Sequence, residues 1–148
     1  MTPKTLIPVE EALAQTTSPL ARTVLEYSLI FKRLLEQAKQ SGGISPADWG
    51  PLAELVAVDE FERVGASREV MNWQEYTGFL SGFANAASWT GRLRRVSELP
   101  GLVFLELEER GKNPEDGSDF VANTVTVYEF NAAGKICHLD VYVQSAAQ

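Results

Sequence analysis

Apolar residues recur at helical spacing in two segments of the chain before residue 88. In the first segment, Ser18 and Pro19 are typical of a helix start, and Ser41 followed by two glycines is typical of a helix end. In the second segment, Asn72 and Glu75 have the spacing of a capping box. The two patterns predict helices over residues 19–41 and 72–87, each with one apolar stripe.

Prolines divide the segment between these two helices. We expect a short turn over residues 46–50, a helix over residues 51–57 and a short strand over residues 58–64. Residues 1–17 have no sustained periodicity and predict an arm with one short helical turn. In the later helix, Gly78 and Gly82 lower the helix propensity by about 1 kcal/mol each relative to Ala, so we expect them to let the helix lie close to a sheet.

From Ser88 onward the apolar pattern changes to a period of two, which is typical of strands. It predicts strands over residues 89–99, 102–110, 120–130 and 135–144, joined by short loops rich in Pro, Gly and Asn. Short loops join antiparallel neighbours, so the four strands form a meander. Helices followed by hairpins predict a single α+β domain over residues 18–148, with the helices on one face of a bent sheet and a small-molecule cavity between them.

The composition argues against several classes of function and location. The 148 residues contain 13 Lys+Arg and 20 Asp+Glu, and the resulting net charge of −7 argues against nucleic acid or an anionic membrane as partner. A single Cys and a single His argue against an internal disulfide and against a metal site. No apolar run is long enough for a membrane span, and Glu10 and Glu11 argue against a signal peptide. We therefore expect a cytoplasmic protein without metal or cofactor.

Two local patterns, together with the order of elements, resemble the nuclear transport factor two-like superfamily. Residues 130–136, Phe-Asn-Ala-Ala-Gly-Lys-Ile, are similar to the Phe-Asp-x-x-Gly-Lys-Ile turn that leads into the last strand of that superfamily. Residues 61–64, Phe-Glu-Arg-Val, followed by a helix near Asn72, resemble its short strand and third helix. Members include ketosteroid isomerases, SnoaL-like polyketide cyclases, limonene epoxide hydrolases and scytalone dehydratases.

The resemblance extends over residues 19–144 and implies a cone-shaped α+β fold. In this fold a strongly bent antiparallel sheet wraps around the N-terminal helices and encloses a cavity. It also implies a homodimer that forms through the outer, convex face of the sheet. The implied ligand is a small hydrophobic molecule.

The catalytic residues of known members differ from those at the matching positions of this chain. The base of the ketosteroid isomerases falls at Arg63 and their oxyanion-binding Asp at Thr126, whereas Tyr27 loosely matches the tyrosine of their first helix. The water-activating Asp of the limonene epoxide hydrolases falls at Val141, and the neighbouring Asp140 faces the opposite side of the strand. The resemblance therefore implies the fold and a cavity without assigning the reaction.

The resemblance also implies which residues face the cavity. From the family register come Thr124, Thr126, Tyr128, Leu139 and Val141. The rest of the predicted ligand pocket is proposed from the positions of single residues in the sequence: Tyr27, Arg63, Tyr76, Trp89 and Glu106. The same register places Cys137 on this face as a small buried group. Such a lining is apolar with a few hydroxyls and suits a hydrophobic molecule, although a slip of one residue would exchange the two faces.

Three sets of residues have more than one interpretation. His138, Asp140 and Tyr142 alternate along the last strand and share one face. They form either a base oriented by a carboxylate or, as the family register favours, an outward surface in contact with solvent or a second copy. Arg63 is either a cavity cation that binds a carboxylate or developing anion, or half of a salt bridge with a nearby acid such as Glu62 or Glu60. Glu106 is either a pocket carboxylate or, as cross-strand pairing favours, part of a solvated strand end that faces Arg92, Arg94 or Arg95 across a hairpin.

Three functions follow from these alternatives. The first is a pocket enzyme, an isomerase, dehydratase or cyclase acting on a hydrophobic polyketide-, steroid- or terpenoid-like compound. In that function Tyr27 and Thr126 polarise a carbonyl, Arg63 stabilises negative charge, and the base is sought among His138, Asp140 and Glu106. The second is a non-catalytic ligand-binding protein with the same pocket, and the third is an interaction module that recruits a protein through the convex face. The sequence does not decide whether there is turnover.

Overall fold

The strands of the protein form one open sheet in the computed structural model, which describes residues 5–86, 88–113 and 115–145. The strands are β1 (Ile7–Pro8), β2 (Glu62–Val64), β3 (Val70–Met71), β4 (Ser88–Leu99), β5 (Leu102–Lys112), β6 (Asp119–Phe130) and β7 (Ile136–Ser145). Their spatial order is β1-β4-β5-β6-β7-β2-β3. The predicted meander of β4 to β7 is present, and every neighbouring pair within it is antiparallel.

Helices cover one face of this sheet. They are α1 (Val9–Gln15), α2 (Pro19–Ser41), α3 (Gly50–Ala53) and α4 (Trp73–Ala86), with a 3₁₀ turn at Pro46–Trp49 before α3. The predicted α+β fold class is therefore confirmed. The last predicted residue of α4, Ala87, lies outside the described residues, as do the first four residues of the arm, Pro114 and the last three residues.

Helix α2 ends, and helix α4 begins, where the local sequence predicts. Helix α2 ends before Gly42, whose φ of 83° is in the left-handed region that glycine adopts without strain. At the start of α4, the Glu75 backbone N–H donates to the Asn72 side chain at 2.9 Å. The Asn72 backbone N–H in turn donates to the Glu75 carboxylate at 3.1 Å, which completes the predicted capping box.

The segment between α2 and α4 differs from its prediction. The helix expected over residues 51–57 ends at Ala53, since Val56 leaves it to form a bridge with Ile136 at the start of β7. The strand expected over residues 58–64 is shortened to β2, because a turn in which the Glu60 N–H donates to the Ala57 carbonyl precedes it. Strand β2 pairs with β7 in parallel, so the sheet is mixed rather than purely antiparallel.

The N-terminal arm and the glycines of α4 also differ from expectation. The arm adds strand β1 to the edge of β4, and its helix α1 buries Val9 and Ala12 in the core. Gly78 and Gly82 are both exposed, and a Cβ added at either position would meet no atom within 4 Å. The prediction that they permit close packing on the sheet is therefore wrong.

The core lies between α2, α3, α4 and the inner face of the sheet. Trp49 is buried in it, with 1% of its surface exposed, and its indole N–H donates to the Ser81 hydroxyl at 2.9 Å. Trp73 packs edge-on against Phe61 with ring centroids 5.2 Å apart. Among the described residues, no helix combines the length and the hydropathy needed to cross a membrane.

Candidate functional site

A cavity of about 620 Å³ lies between α2, α4 and the inner face of the sheet. Of the residues that the sequence places in the pocket, those that line it are Tyr27, Arg63, Tyr76, Trp89, Thr124, Thr126, Tyr128, Leu139 and Val141. Aromatic side chains contributed by the helices, among them Phe31, Phe79 and Phe83, complete the walls. The cavity is thus mainly apolar, with a small number of polar groups at defined places, as ligand sites commonly are.

The register of β6 and β7 places their residues on the inner face as the resemblance implies. Thr126 pairs with Val141, and Tyr128 pairs with Leu139. Cys137 departs from the expectation because the register shifts after Glu129. Beyond that irregularity it is Ile136, with none of its surface exposed, that fills the inner face, and Cys137 does not line the cavity.

Three buried phenols lie together at the centre of the cavity wall. Tyr27 comes from α2, Tyr76 from α4 and Tyr128 from β6, and the rings of Tyr27 and Tyr128 meet edge to face with centroids 5.7 Å apart. Burial raises the pKa of all three hydroxyls, that of Tyr27 well above its ordinary value. All three are therefore neutral at physiological pH and keep a proton to donate.

Several buried polar atoms of the cavity have no hydrogen-bond partner among the described residues. They are the Tyr27 hydroxyl, Nε and Nη1 of Arg63, and the Thr124 hydroxyl. Leaving such groups unpaired costs about 1–3 kcal/mol each, and more for a charged group, so unpaired atoms of this kind are rare in folded proteins. Their grouping in one cavity gives that cavity several hydrogen-bonding positions for oxygen atoms, whether of a ligand or of water.

Arg63 enters the cavity from β2 and lies against aromatic rings. Its guanidinium carbon lies 5.0 Å from the ring centroid of Tyr76 and 5.7 Å from that of Phe79. Its Nη1 lies 3.8 Å from Oε1 of Glu69, an acid other than Glu62, the neighbour suggested by the sequence. The cation is therefore held in position by ring faces, which attract it without accepting a hydrogen bond in its plane.

Glu109 is a cavity residue that sequence reasoning missed. It lines the cavity, and its Oε1 accepts a hydrogen bond from the indole N–H of Trp89 at 2.5 Å. After burial, its negative charge is among the causes that raise the pKa of Tyr76 and of Tyr128. The period of two in β5 could have revealed it, because the buried Leu105 and Leu107 precede it at that spacing.

Glu106 occupies the opposite face of β5, so its predicted place in the pocket is wrong and its alternative, an acid that faces an arginine across the hairpin, describes it. It does not line the cavity, and its Oε1 accepts a hydrogen bond from Nη2 of Arg95 at 2.8 Å. The reason is strand alternation: Leu105 and Leu107 face the helices, so the residue between them faces outward. The acid predicted at mid-strand is thus replaced by one three residues further along.

The predicted base candidates on β7 lie on the outer face of the sheet, away from the cavity. Nε2 of His138 lies 2.9 Å from a carboxylate oxygen of Asp140, and Nδ1 lies 3.4 Å from the carboxylate of Glu62. Tyr142, on the same face, is 61% exposed. Ligand atoms of His138, Asp140 and Glu129 lie within 4.8 Å of one another, and this is the set of described residues whose spacing could suit a metal ion.

The arrangement in the cavity combines two chemical capacities. One carboxylate oxygen of Glu109 is held by Trp89, so the other remains to accept a proton from a bound molecule. The unpartnered Tyr27 hydroxyl and the Arg63 guanidinium can receive an oxygen atom on which negative charge develops. Removal of a proton from the carbon next to a carbonyl requires a base and a group that stabilises the negative charge on the carbonyl oxygen. Glu109 can serve as the base, and Tyr27 and Arg63 can stabilise the charge.

The fold resembles that of several solved structures, although no protein-family model and no curated protein matches the sequence. A protein from Shewanella putrefaciens CN-32 assigned as a SnoaL-like polyketide cyclase is 11% identical, with a TM-score of 0.69, over 97% of this chain and 92% of its own. An NTF2-like protein of unknown function from Exiguobacterium sp. 255-15 is 19% identical, with a TM-score of 0.61, over 82% of this chain and 98% of its own.

A third similar structure is SalBIII, described as an epoxide hydrolase/cyclase-like enzyme with a role in pyran ring formation in the polyether salinomycin. It is 17% identical, with a TM-score of 0.58, over 91% of this chain and 92% of its own. At such identities the likeness establishes the fold. The chain therefore has the NTF2-like cone fold that the sequence resemblance implies, with the sheet left open and one parallel strand pair.

Proposed function

We propose that the cavity binds a hydrophobic polyketide-, steroid- or terpenoid-like compound and catalyses a proton transfer next to a carbonyl of that compound. The observation that carries this proposal is the presence of Glu109 and of the unpartnered Tyr27 hydroxyl in one apolar cavity. This chemistry is the first step of isomerase- and cyclase-type reactions. The fold by itself would support many other activities, so the proposal depends on these residues.

Each residue has one task in the proposed step. Glu109 takes the proton from the carbon next to the carbonyl, and the C–H electron pair moves towards the carbonyl oxygen to give an enolate. Tyr27, whose raised pKa keeps its proton in place, donates a hydrogen bond to that oxygen. Trp89 orients the Glu109 carboxylate. In an isomerisation Glu109 returns the proton to another carbon. In a ring closure the enolate carbon attacks a second carbonyl, and the alkoxide that forms takes the proton back from Glu109.

Proteins of the same fold make this class of reaction a reasonable choice. One similar structure carries the assignment of a SnoaL-like polyketide cyclase, and SalBIII is linked to pyran ring formation. These activities are statements about those proteins. For this chain they favour a ring-forming or isomerising reaction over the many others that a cavity with a carboxylate could support.

The test is the exchange of protons in a bound ketone. The purified protein is incubated in heavy water with 2-tetralone, a bicyclic aromatic ketone, and loss of the proton signal next to the carbonyl is followed by NMR. We expect Glu109→Gln to lower the catalysed exchange rate by about 10²–10⁴-fold, the usual contribution of a general base. Tyr27→Phe should lower it by about 10²–10³-fold through loss of a donor to the developing oxyanion.

Glu106→Gln is the matched control, since it removes a carboxylate from the same strand on the opposite face. It should leave the exchange rate unchanged. Exchange that continues in Glu109→Gln would refute the role of this base. Binding of the ketone without any exchange would instead favour the non-catalytic ligand-binding function.

A further inference from the structure

We propose that the compound accepted by the cavity is an acid, an apolar oxo-carboxylic acid whose carboxylate binds Arg63. This inference rests on the proposed function for the location of the site and adds the chemical class of the substrate. The carbonyl of such a molecule is the group polarised by Tyr27. Its carboxylate is a separate group that anchors it.

Arg63 is a largely buried cation, and two of its three guanidinium nitrogens have no hydrogen-bond partner among the described residues. Its side chain is 13% exposed, and both Nε and Nη1 are buried without a hydrogen-bond partner among the described residues. Removing a charge from water is costly unless the charge is paired and hydrogen-bonded. A carboxylate in the cavity would supply both the opposite charge and the acceptor atoms.

The nearest acid compensates this charge only in part. Glu69 lies 3.8 Å from Nη1, beyond hydrogen-bond distance, and its side chain is 44% exposed. Its other carboxylate oxygen accepts a hydrogen bond from the Ser67 backbone N–H at 3.0 Å, so Glu69 is engaged by its own loop. An ion pair of this length with one solvated partner contributes little to the free energy of folding. Nε of Arg63 takes no part in this ion pair and can bind a ligand.

The cavity itself favours a carboxylate over a more highly charged group. Its walls are largely apolar and aromatic, and two acids already line it, Glu109 and the exposed Asp119, which is paired with Lys112. A phosphate would bring more negative charge than one guanidinium neutralises. A single carboxylate on an apolar skeleton matches one cation, and repulsion from Glu109 keeps that carboxylate at the Arg63 side of the cavity.

The test compares two probes that share a skeleton and differ in charge, 2-naphthoate and 2-naphthamide. Their dissociation constants are measured by isothermal titration calorimetry with the wild-type protein and with Arg63→Met. For the wild type we expect the acid to bind about tenfold more tightly than the amide, as a charge-assisted hydrogen bond would give. In Arg63→Met the two probes should bind equally, and Arg63→Lys should keep part of the preference.

The matched control is Arg95→Met, which removes an exposed arginine paired with Glu106 on the outer face and should leave the preference intact. Equal affinities in the wild type, a preference that survives Arg63→Met, or no binding of 2-naphthoate would each overturn the inference. Retained binding of 2-naphthamide shows that the Arg63→Met variant is folded.

Glu109→Gln separates this inference from the proposed function. Because that variant removes a negative charge from the cavity, it should bind 2-naphthoate at least as tightly as the wild type does. Binding that depends on Arg63 without any exchange of ketone protons would leave the acid-binding site standing and refute the proton-transfer function. Exchange of ketone protons without a preference for the acid would support the proton-transfer function and refute the acid-binding site.

Discussion

At the scale of single residues, the cavity is built around phenols that hold their protons. Tyr27, Tyr76 and Tyr128 are 5%, 8% and 5% exposed, and burial raises the pKa of each above the ordinary 10.0. Converting any of them to a phenolate would place a negative charge in an apolar space that also contains Glu109. Their hydroxyls therefore act as hydrogen-bond donors across the physiological pH range, and Arg63 is the cation among them.

The raised pKa values predict a loss of stability in alkali. Unfolded tyrosines release their protons near pH 10, whereas the buried ones do not. Ionisation therefore lowers the free energy of the unfolded state relative to that of the folded state as the pH rises. This contribution to stability is fully present below pH 10. It is lost above that value, by about 1.4 kcal/mol per pH unit for each buried tyrosine, as the pH rises towards the folded pKa. Urea unfolding followed over this pH range measures the slope.

Tyr27→Phe provides the control for this prediction. The variant should lose stability less steeply with pH, by the share of one tyrosine. Phenolate absorbance from the buried tyrosines should appear together with unfolding. Phenolate formation by these residues in the folded protein at about pH 10 would contradict the prediction.

The candidate site could be predicted from the sequence only where alternation and register were read correctly. The pairing of Thr126 with Val141 follows from the turn before β7, so the inner face of the last two strands was placed correctly except at Cys137, where the register shifts. On β5 a carboxylate was expected from Glu106, although the alternation of Leu105 and Leu107 assigns the inner face to Glu109. The hydrogen bond between Trp89 and Glu109 joins two strands, and no local sequence pattern predicts it.

At the scale of elements, α4 carries glycines that its packing does not require. The apolar stripe of α4 faces α2 and the cavity, with Tyr76, Leu80 and Ala84 buried. Gly78 and Gly82 lie on the exposed side of the same helix. Glycine at such a position increases the conformational entropy lost on folding. It brings no packing advantage here, because no neighbouring atom occupies the space that a side chain would fill.

Replacing these glycines should therefore stabilise the protein. Gly78→Ala and Gly82→Ala are each expected to raise the free energy of unfolding by about 0.5–1 kcal/mol, since the added methyl meets no atom within 4 Å. Thermal or urea unfolding measures the change. Gly111→Ala is the contrasting variant, because its Cβ would lie 1.9 Å from the Ser88 carbonyl oxygen, and it should destabilise the protein. Destabilisation by either helix variant would contradict this account of α4.

Elements with local signals were predicted well, and those that depend on distant partners were not. The capping box at Asn72 and the left-handed conformation of Gly42 each depend on a few adjacent residues. Helix α4 therefore begins, and helix α2 ends, as the sequence predicts. Strand β2 is fixed by its parallel pairing with β7, and the end of α3 by the bridge from Val56 to Ile136. Such contacts join parts of the chain that are far apart in sequence, where periodicity carries no information.

At the scale of the whole molecule, the sheet has two faces with different roles. The inner face covers the core and the cavity, whereas the outer face of β6 and β7 carries Tyr142, which is 61% exposed. Tyr142 pairs across the strands with Val125, and the next outward pair is Val127 with Asp140. An exposed aromatic residue beside valines, with charged groups around it, has the composition typical of a protein interface.

We propose that this outer face joins two copies of the chain as a homodimer. Sedimentation equilibrium should then give about twice the chain mass of 16.3 kDa. Tyr142→Glu should return the protein to a monomer without changing its fold, because it places a charge in an apolar contact and leaves the inner face untouched. Leu99→Glu, an equally drastic change at the exposed last residue of β4, should leave the dimer intact. A monomeric wild-type protein would refute the homodimer and leave the outer face free for a different protein partner.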